Sequence, residues 1–205
     1  MFGKRVLLLA VLALALPAAA FASSQVDFTN MGGTLSGTNA GLTLTGSTLI
    51  AVNGLNGGGL ITGSNLGSVT FTTGALASGS LQTGGTFAAG GSFTITGNGN
   101  NGVPNGVIFS GTFSQPATWT LVTLPDGTHN YTLTGALNGS LQGFNSNGVT
   151  VQLTINTGKG FFNGSTMISG GDTTIVGSVP EPSTVAMLGT GLLGLAGMVR
   201  RKLHS

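Results

Sequence analysis

The chain has 205 residues, and only 5% of them are charged, against about 25% in an average soluble domain. It contains no cysteine, which excludes a disulfide framework and a thiolate metal site. The formal net charge of +2 comes from bases at the two ends of the chain, with Lys159 the only base between residues 23 and 179, and this distribution argues against nucleic acid as a partner.

Residues 1–22 have the organisation of a secretory signal peptide. A short basic start is followed by an unbroken apolar run at residues 6–16, which is too short to cross a membrane comfortably, since about 20 residues are needed. Ala20 and Ala22 are small residues at the two positions that a signal peptidase requires before the cleaved bond. The sequence therefore predicts processing by signal peptidase, with Ser23 as the first residue of the mature chain.

Residues 23–178 predict an all-β ectodomain, because their apolar residues recur with a period of two. The longest alternation falls within Gly148–Asn156 and is typical of a strand with one buried and one solvated face. Its apolar residues are Val149, Val151, Leu153 and Ile155. Similar alternation at residues 118–124 and 131–137, with frequent turn signals, predicts an antiparallel β-sandwich or an open barrel.

Three turn signals connect the strands predicted within residues 106–156. The Pro-Asp-Gly sequence at residues 125–127 predicts a hairpin connection, because Pro fixes φ, Asp bonds its own backbone and Gly accepts a positive φ. Asn138-Gly139 is typical of a two-residue turn of type I′, and Asn147-Gly148 precedes the last predicted strand. Together the three turns predict an antiparallel meander.

His129 is the only histidine of the ectodomain, and it lies three residues after Asp126. The components of a Ser-His-Asp arrangement are therefore present, but no Gly-x-Ser-x-Gly elbow accompanies them. Because His129 adjoins a predicted turn, we expect it in a solvated loop. Asp27, Asp126 and Asp172 are far apart in sequence, and one histidine cannot build a zinc site. We expect no catalytic residue, no cofactor and no metal.

Trp119 and Tyr131 are the only tryptophan and tyrosine of the chain, and they flank one predicted hairpin. Sugar sites use an exposed aromatic face with amide and hydroxyl groups nearby, so these two residues are the candidate contacts for a carbohydrate. Both occupy apolar positions of alternating strands, however, which favours packing in the core with the tyrosine hydroxyl reaching an edge. The exposure of Trp119 distinguishes the two interpretations.

The C-terminal end has three parts in order. Residues 179–184 form a rigid segment because two prolines fix φ, residues 185–199 are apolar, and residues 200–205 form a basic tail. A short apolar helix followed by bases stops translocation and leaves the tail in the cytoplasm. The rigid segment is Val179, Pro180, Glu181, Pro182, Ser183 and Thr184, and the tail begins with Arg200, Arg201 and Lys202.

This order of motif, apolar segment and basic tail resembles the PEP-CTERM sorting signal of exported bacterial proteins. The resemblance implies processing near Pro180-Glu181-Pro182 by an exosortase, a membrane transpeptidase. It makes the predicted transmembrane helix at residues 185–199 a transient anchor, much as a GPI tail is removed. It also implies a Gram-negative bacterium that makes exopolysaccharide.

These features predict an exported, non-catalytic protein of the cell envelope or extracellular matrix. We expect an inner-membrane intermediate with its ectodomain outside the cytoplasm, and then a location at the cell surface or in a biofilm matrix. The expected partners are signal peptidase and exosortase during processing, and afterwards exopolysaccharide or further copies of the chain. The alternative is a carbohydrate-binding module with a defined sugar pocket, and a secreted hydrolase is a third class.

Overall fold

Alternating apolar and polar residues produce a chain that is almost entirely β-strand. The computed structural model describes residues 24–177, and this range contains thirteen strands and one 3-10 turn. In chain order these are β1 (Ser24–Met31), β2 (Thr34–Thr38), β3 (Gly41–Asn53), the 3-10 turn (Leu55–Gly57), β4 (Ile61–Thr72), β5 (Leu76–Ser80), β6 (Gly84–Phe87), β7 (Gly90–Asn98), β8 (Asn105–Phe113), β9 (Ala117–Thr123), β10 (His129–Leu141), β11 (Phe144–Asn156), β12 (Ser165–Met167) and β13 (Gly170–Gly177).

Eight of these strands close into an antiparallel barrel. Around the barrel the order is β1, β3, β4, β7, β8, β10, β11 and β13, and β13 pairs again with β1. The pairing of β10 with β11 completes the ring. The predicted antiparallel all-β class is confirmed, and the eight strands form a closed ring in which each strand has a partner on both sides.

Two barrel strands change partner along their length, and the remaining five strands are attached at these points. Residues 129–134 of β10 pair with β9, whereas residues 137–141 pair with β8. Residues 41–45 of β3 pair with β2, whereas residues 48–53 pair with β1. The wall is thereby extended by β9, β6 and β5 beside β10, and by β2 and β12 beside β3.

The core follows from the period-two alternation of the strands. The four apolar side chains predicted to share one face of β11 are at most 5% exposed, and they are Val149, Val151, Leu153 and Ile155. The predicted register of this strand is therefore confirmed. Phe71 and Phe93 stack at 5.8 Å between ring centroids, and Phe113 meets both rings edge-on. Aromatic pairs in these geometries stabilise a core beyond the area that they bury.

The hairpin predicted at residues 125–127 is confirmed. It joins β9 to β10, the Leu124 N–H donates to the Thr128 carbonyl, and the Gly127 N–H donates to the Leu124 carbonyl. The two-residue turn predicted at Asn138-Gly139 is wrong, because both residues lie inside β10 and pair with β8 on one side and β11 on the other.

The turn between β10 and β11 lies instead at Gln142-Gly143. Its φ angles of 49° and 88° fit a type I′ turn, in which both central residues need a positive φ. Asn147-Gly148 lies within β11, where the register with β10 shifts by one residue, so this pair forms a bulge. The predicted meander holds for β9, β10 and β11 only, since β8 pairs with β10 and not with β9.

Two predicted segments lie outside the described residues. They are the signal peptide at residues 1–22 and the C-terminal segment at residues 179–205, with its apolar stretch at 185–199. Among residues 24–177, no helix is long and apolar enough to span a membrane.

Candidate functional site

A row of polar side chains crosses the outer face of the barrel at right angles to the strands. Cross-strand pairing links Thr118 of β9 to Thr134 of β10, then to Gln152 of β11, then to Asp172 of β13. The pairing continues to Thr29 of β1. Thr118, Gln152 and Thr29 each lie between two buried neighbours of an alternating strand, and Thr134 and Asp172 each adjoin one buried residue and one glycine. Hydroxyl, amide and carboxylate groups therefore form a continuous line on the outer face.

A groove of about 410 Å³ opens along this row. It lies where β10 changes partner, at Gly135 and Ala136, between the segment paired with β9 and the segment paired with β8. The β8–β9 connection is held here, because the Ser114 N–H and hydroxyl both donate to the Ala136 carbonyl. Gln115 and Pro116 of the same connection line the groove and are exposed.

A second, shorter row forms the other side of the groove. Ala136 pairs with Thr150 of β11, and Thr150 pairs with Thr174 of β13. Ala136 is the one position of this row without a polar side chain, and its small methyl group leaves the space that the groove occupies. The site is thus a depression of mixed polar and apolar lining, built from two cross-strand rows.

Asp172 supplies the only charge among the residues that line the groove. Its Oδ1 accepts a hydrogen bond of 3.1 Å from the Thr29 hydroxyl. Asp27 lies beside it on the same outer face, since Asp27 pairs with Thr174 while Thr29 pairs with Asp172. The groove is therefore weakly acidic, and no base lines it.

Trp119 and Tyr131 do not form an exposed sugar platform. Trp119 is 1% exposed and Tyr131 is 0% exposed, and their rings stack at 5.0 Å. The Trp119 Nε1–H donates to the Leu81 carbonyl at 2.9 Å, and the Tyr131 hydroxyl donates to the Gln82 carbonyl at 2.7 Å. This corrects the candidate sugar contacts and agrees with the core packing that the alternation favoured. Both aromatic faces are packed in the core, and their polar atoms are hydrogen-bonded to backbone carbonyls.

His129 is buried, which corrects the expectation of a solvated loop. It is 8% exposed, and its ring lies 4.4 Å from the Phe161 ring. The chain after β11 folds back over it, since the Thr157 N–H donates to the His129 carbonyl and the His129 N–H donates to the Gly158 carbonyl. Its Nδ1 has no hydrogen-bond partner among the described residues.

Asp126 serves the turn and is not joined to His129. Its Oδ1 accepts a hydrogen bond of 2.9 Å from the Thr128 N–H. This backbone hydrogen bond and a second one from the Thr128 side chain lower the pKa of the Asp126 carboxyl. Within residues 24–177, no three His, Asp or Glu side chains lie close enough together to share a metal ion.

The groove is the feature that sequence reasoning missed. The sequence shows part of it, because threonine and glutamine occupy the outward positions of the strands at residues 118, 134 and 152. Which strands are neighbours could not be read from the alternation, and neither could the change of partner along β10. A cross-strand row exists only once both are known.

The family model for the PEP-CTERM protein-sorting motif matches residues 178–202. The resemblance of the C-terminal segment is therefore confirmed, and the motif indicates an exported protein that is processed by an exosortase. No curated protein and no solved structure matches the chain.

Proposed function

We propose that this chain is a non-catalytic protein of the cell envelope or extracellular matrix, where its barrel associates with exopolysaccharide. The observation that carries the proposal is the sorting motif at residues 178–202. In this proposal the barrel is delivered outside the cytoplasm by the segments at the two ends of the chain. The apolar stretch at residues 185–199 serves as a transient inner-membrane anchor, and Arg200, Arg201 and Lys202 hold the tail in the cytoplasm.

The surface chemistry of the barrel supports an association with polysaccharide. Threonine hydroxyls and side-chain amides occupy many outward positions of its strands, and residues 24–177 carry one base and three acids. Such a surface offers hydrogen bonds with little charge, which suits a neutral, hydroxyl-rich polymer better than a polyanion.

A non-catalytic role is supported by the environment of the one candidate catalytic pair. His129 is packed under Phe161, and the Asp126 carboxylate is engaged by Thr128. A general base must reach the proton that it abstracts, and these two side chains are each committed to local packing or to a turn.

The processing step is tested by intact-mass measurement of the protein recovered from a producing strain. We expect the wild-type mass to lack residues 1–22 and the basic tail, with Ser23 as the N-terminal residue. Deleting the exosortase gene, or the substitution Glu181→Ala, is expected to leave the tail attached. Lys159→Gln is the matched control, because it removes one exposed charge from the barrel and leaves the motif intact.

The destination is tested in the same strains by fractionation with an antibody against the barrel. We expect wild-type protein and Lys159→Gln in the polysaccharide-containing fraction, and Glu181→Ala in the inner membrane. Wild-type protein that stays in the membrane with its tail attached would overturn the proposed sorting. Processed protein that is released without polysaccharide would overturn the proposed matrix association.

A further inference from the structure

We infer that the groove at Ala136 is a binding site for a neutral polysaccharide, which would lie across the strands along the row from Thr118 to Asp172. This inference rests on the proposed function and names the surface and the ligand class through which the association would occur. Nothing in the sorting motif locates such a site, since the motif lies at residues 178–202 and the groove lies in the barrel wall.

The shape of the groove fits an extended chain. Its longer row crosses β9, β10, β11 and β13, and neighbouring strands lie about 4.8 Å apart, so this row extends for about 14 Å. The groove volume of about 410 Å³ is within the usual range for small-ligand sites, about 300–1,000 Å³. Beyond the groove the polar row continues to Thr86 on one side and to Thr29 on the other, so a polymer longer than the groove would meet further hydroxyls.

The polar groups in the groove are available to a ligand. Within the described part of the chain, the side chains of Thr118, Thr134 and Gln152 make no hydrogen bond to another residue, whereas those at the ends of the row do. Ser78 bonds Thr86 at 2.7 Å, and Thr29 donates to Asp172 at 3.1 Å. Hydroxyls and amides both donate and accept, which matches sugar hydroxyls that also do both.

The charge of the groove selects a neutral chain. Asp172 repels an anionic polymer, and no base lines the groove to offset the repulsion. A carboxylate accepts hydrogen bonds from sugar hydroxyls, and such charge-assisted bonds are stronger than neutral ones. Phosphorylated or uronic-acid polymers are thereby disfavoured, and neutral glucans, mannans and galactans are the class that fits.

The groove has little surface for stacking against a sugar ring. No aromatic side chain lines it, and Pro116 provides the one exposed apolar surface in the β8–β9 connection beside it. We therefore expect weak binding at each site. Retention in a matrix would then come from several protein copies meeting one long polymer, because linked sites raise the overall avidity.

The test is affinity gel electrophoresis of the full chain in detergent, with dextran, a soluble β-glucan, a galactomannan or the polyanion alginate in the gel. We expect at least one neutral polymer to retard the wild-type protein and alginate not to do so. Ala136→Trp places a large ring in the groove, because residue 136 lines it. Gln152→Ala removes one side-chain amide from the groove. Ala136→Trp is expected to abolish retardation because its ring occupies the space of the ligand. Gln152→Ala is expected to weaken retardation by about tenfold, the effect of losing one or two ligand hydrogen bonds.

Thr70→Ala is the matched control. Thr70 is an exposed threonine of β4 that pairs with Thr94 of β7. Thr70 does not line the groove. We expect wild-type retardation from this variant. Circular dichroism of all variants checks that the fold is kept, and Gln152→Ala keeps the test informative if Ala136→Trp does not fold.

Failure of the inference and failure of the proposed function give different results. If no neutral polymer retards the wild-type chain, or if the folded groove variants bind like wild type, the groove is not the site. If wild-type protein is nevertheless found processed in the polysaccharide fraction of the producing strain, the proposed function stands without the groove. Retardation by alginate equal to that by neutral polymers would overturn the proposed ligand class.

Discussion

The hydroxyl of Tyr131 accepts a hydrogen bond of 3.1 Å from the backbone N–H of Phe162. The same hydroxyl donates to the Gln82 carbonyl at 2.7 Å. One buried side chain of β10 therefore fixes the β5–β6 connection and the segment after β11. These three parts of the chain are far apart in sequence. The Trp119 ring stacks on Tyr131, and its centroid lies 5.7 Å from that of the Phe162 ring.

The substitution Tyr131→Phe tests this relationship. It keeps the ring and removes the hydroxyl, so that the buried Phe162 N–H loses its hydrogen-bond partner. An unsatisfied buried polar group costs about 1–3 kcal/mol, and we expect the free energy of unfolding in urea to fall by that amount. Thr120→Ala, at an exposed position of β9, is the control. A Tyr131→Phe variant as stable as the control would contradict the expectation.

The register of β11 predicts that substitutions at two adjacent residues differ greatly in their effect on the free energy of unfolding. Leu153 is 2% exposed and lies opposite Leu133 of β10. Leu153→Ala should cost about 2–5 kcal/mol, because it opens a cavity in the core. Gln152 is exposed, and Gln152→Ala should change stability by no more than about 0.5 kcal/mol. The reverse order in thermal melts would place the outer face of β11 in the core.

Gly91 in β7 combines a left-handed backbone with a close approach to a neighbouring strand. Its φ is +72°, and a Cβ atom there would collide with the carbonyl oxygen of Thr72. Gly91→Ala should destabilise the barrel by about 1–3 kcal/mol, the usual cost of such a backbone for a residue with a side chain. Urea unfolding measures the loss.

Gly59 is the matched control for this substitution. A Cβ atom at Gly59 would meet no other atom within 4 Å, and its φ is not positive. Gly59→Ala should be neutral or stabilise the chain by up to about 1 kcal/mol, because it restricts the unfolded chain. Equal losses for both substitutions would show that the two backbones do not differ as described.

The hydrogen bonds of Asp126 should make the stability of the β9–β10 turn depend on pH. The hydrogen bonds from the backbone and side chain of Thr128 lower the pKa of its carboxyl. A carboxyl with a lower pKa in the folded chain stabilises the fold above its unfolded pKa, and this stabilisation is lost as the pH falls through the folded pKa. NMR titration should give Asp126 a lower midpoint in the folded chain than in urea. Thr128→Ala should raise the folded midpoint, and equal folded and unfolded midpoints would contradict the assignment.

Local sequence signals correctly predicted the buried face of a single strand and the hairpin between two consecutive strands. The alternation at residues 149–155 placed four side chains in the core, and the Pro-Asp-Gly signal at 125–127 located a hairpin. In both cases neighbouring residues decide the outcome, since the period of a strand and the φ preferences of a turn are local properties.

Long-range pairing decided the parts that were predicted wrongly. Asn138-Gly139 has the composition of a turn, but β8 and β11 pair with it on both sides and hold it in strand. His129 adjoins a turn, but residues 157–161 fold back over it. The groove has the same origin, because it depends on the point at which β10 exchanges β9 for β8. Such tertiary contacts override local propensity.

The pairing of β1 with β13 sets an order of events for folding. Ser24 pairs with Gly177 and Val26 with Ile175, so the first and last described strands are neighbours in the wall. A ribosome completes β13 after the other strands of residues 24–177, and the ring cannot close before this strand has been made. Closure must then join residues from opposite ends of the barrel, which is slow, since pairings between distant residues reduce folding rates. Until β13 has been made, the wall has a gap between β11 and β1, and the unfinished chain has not formed the closed barrel.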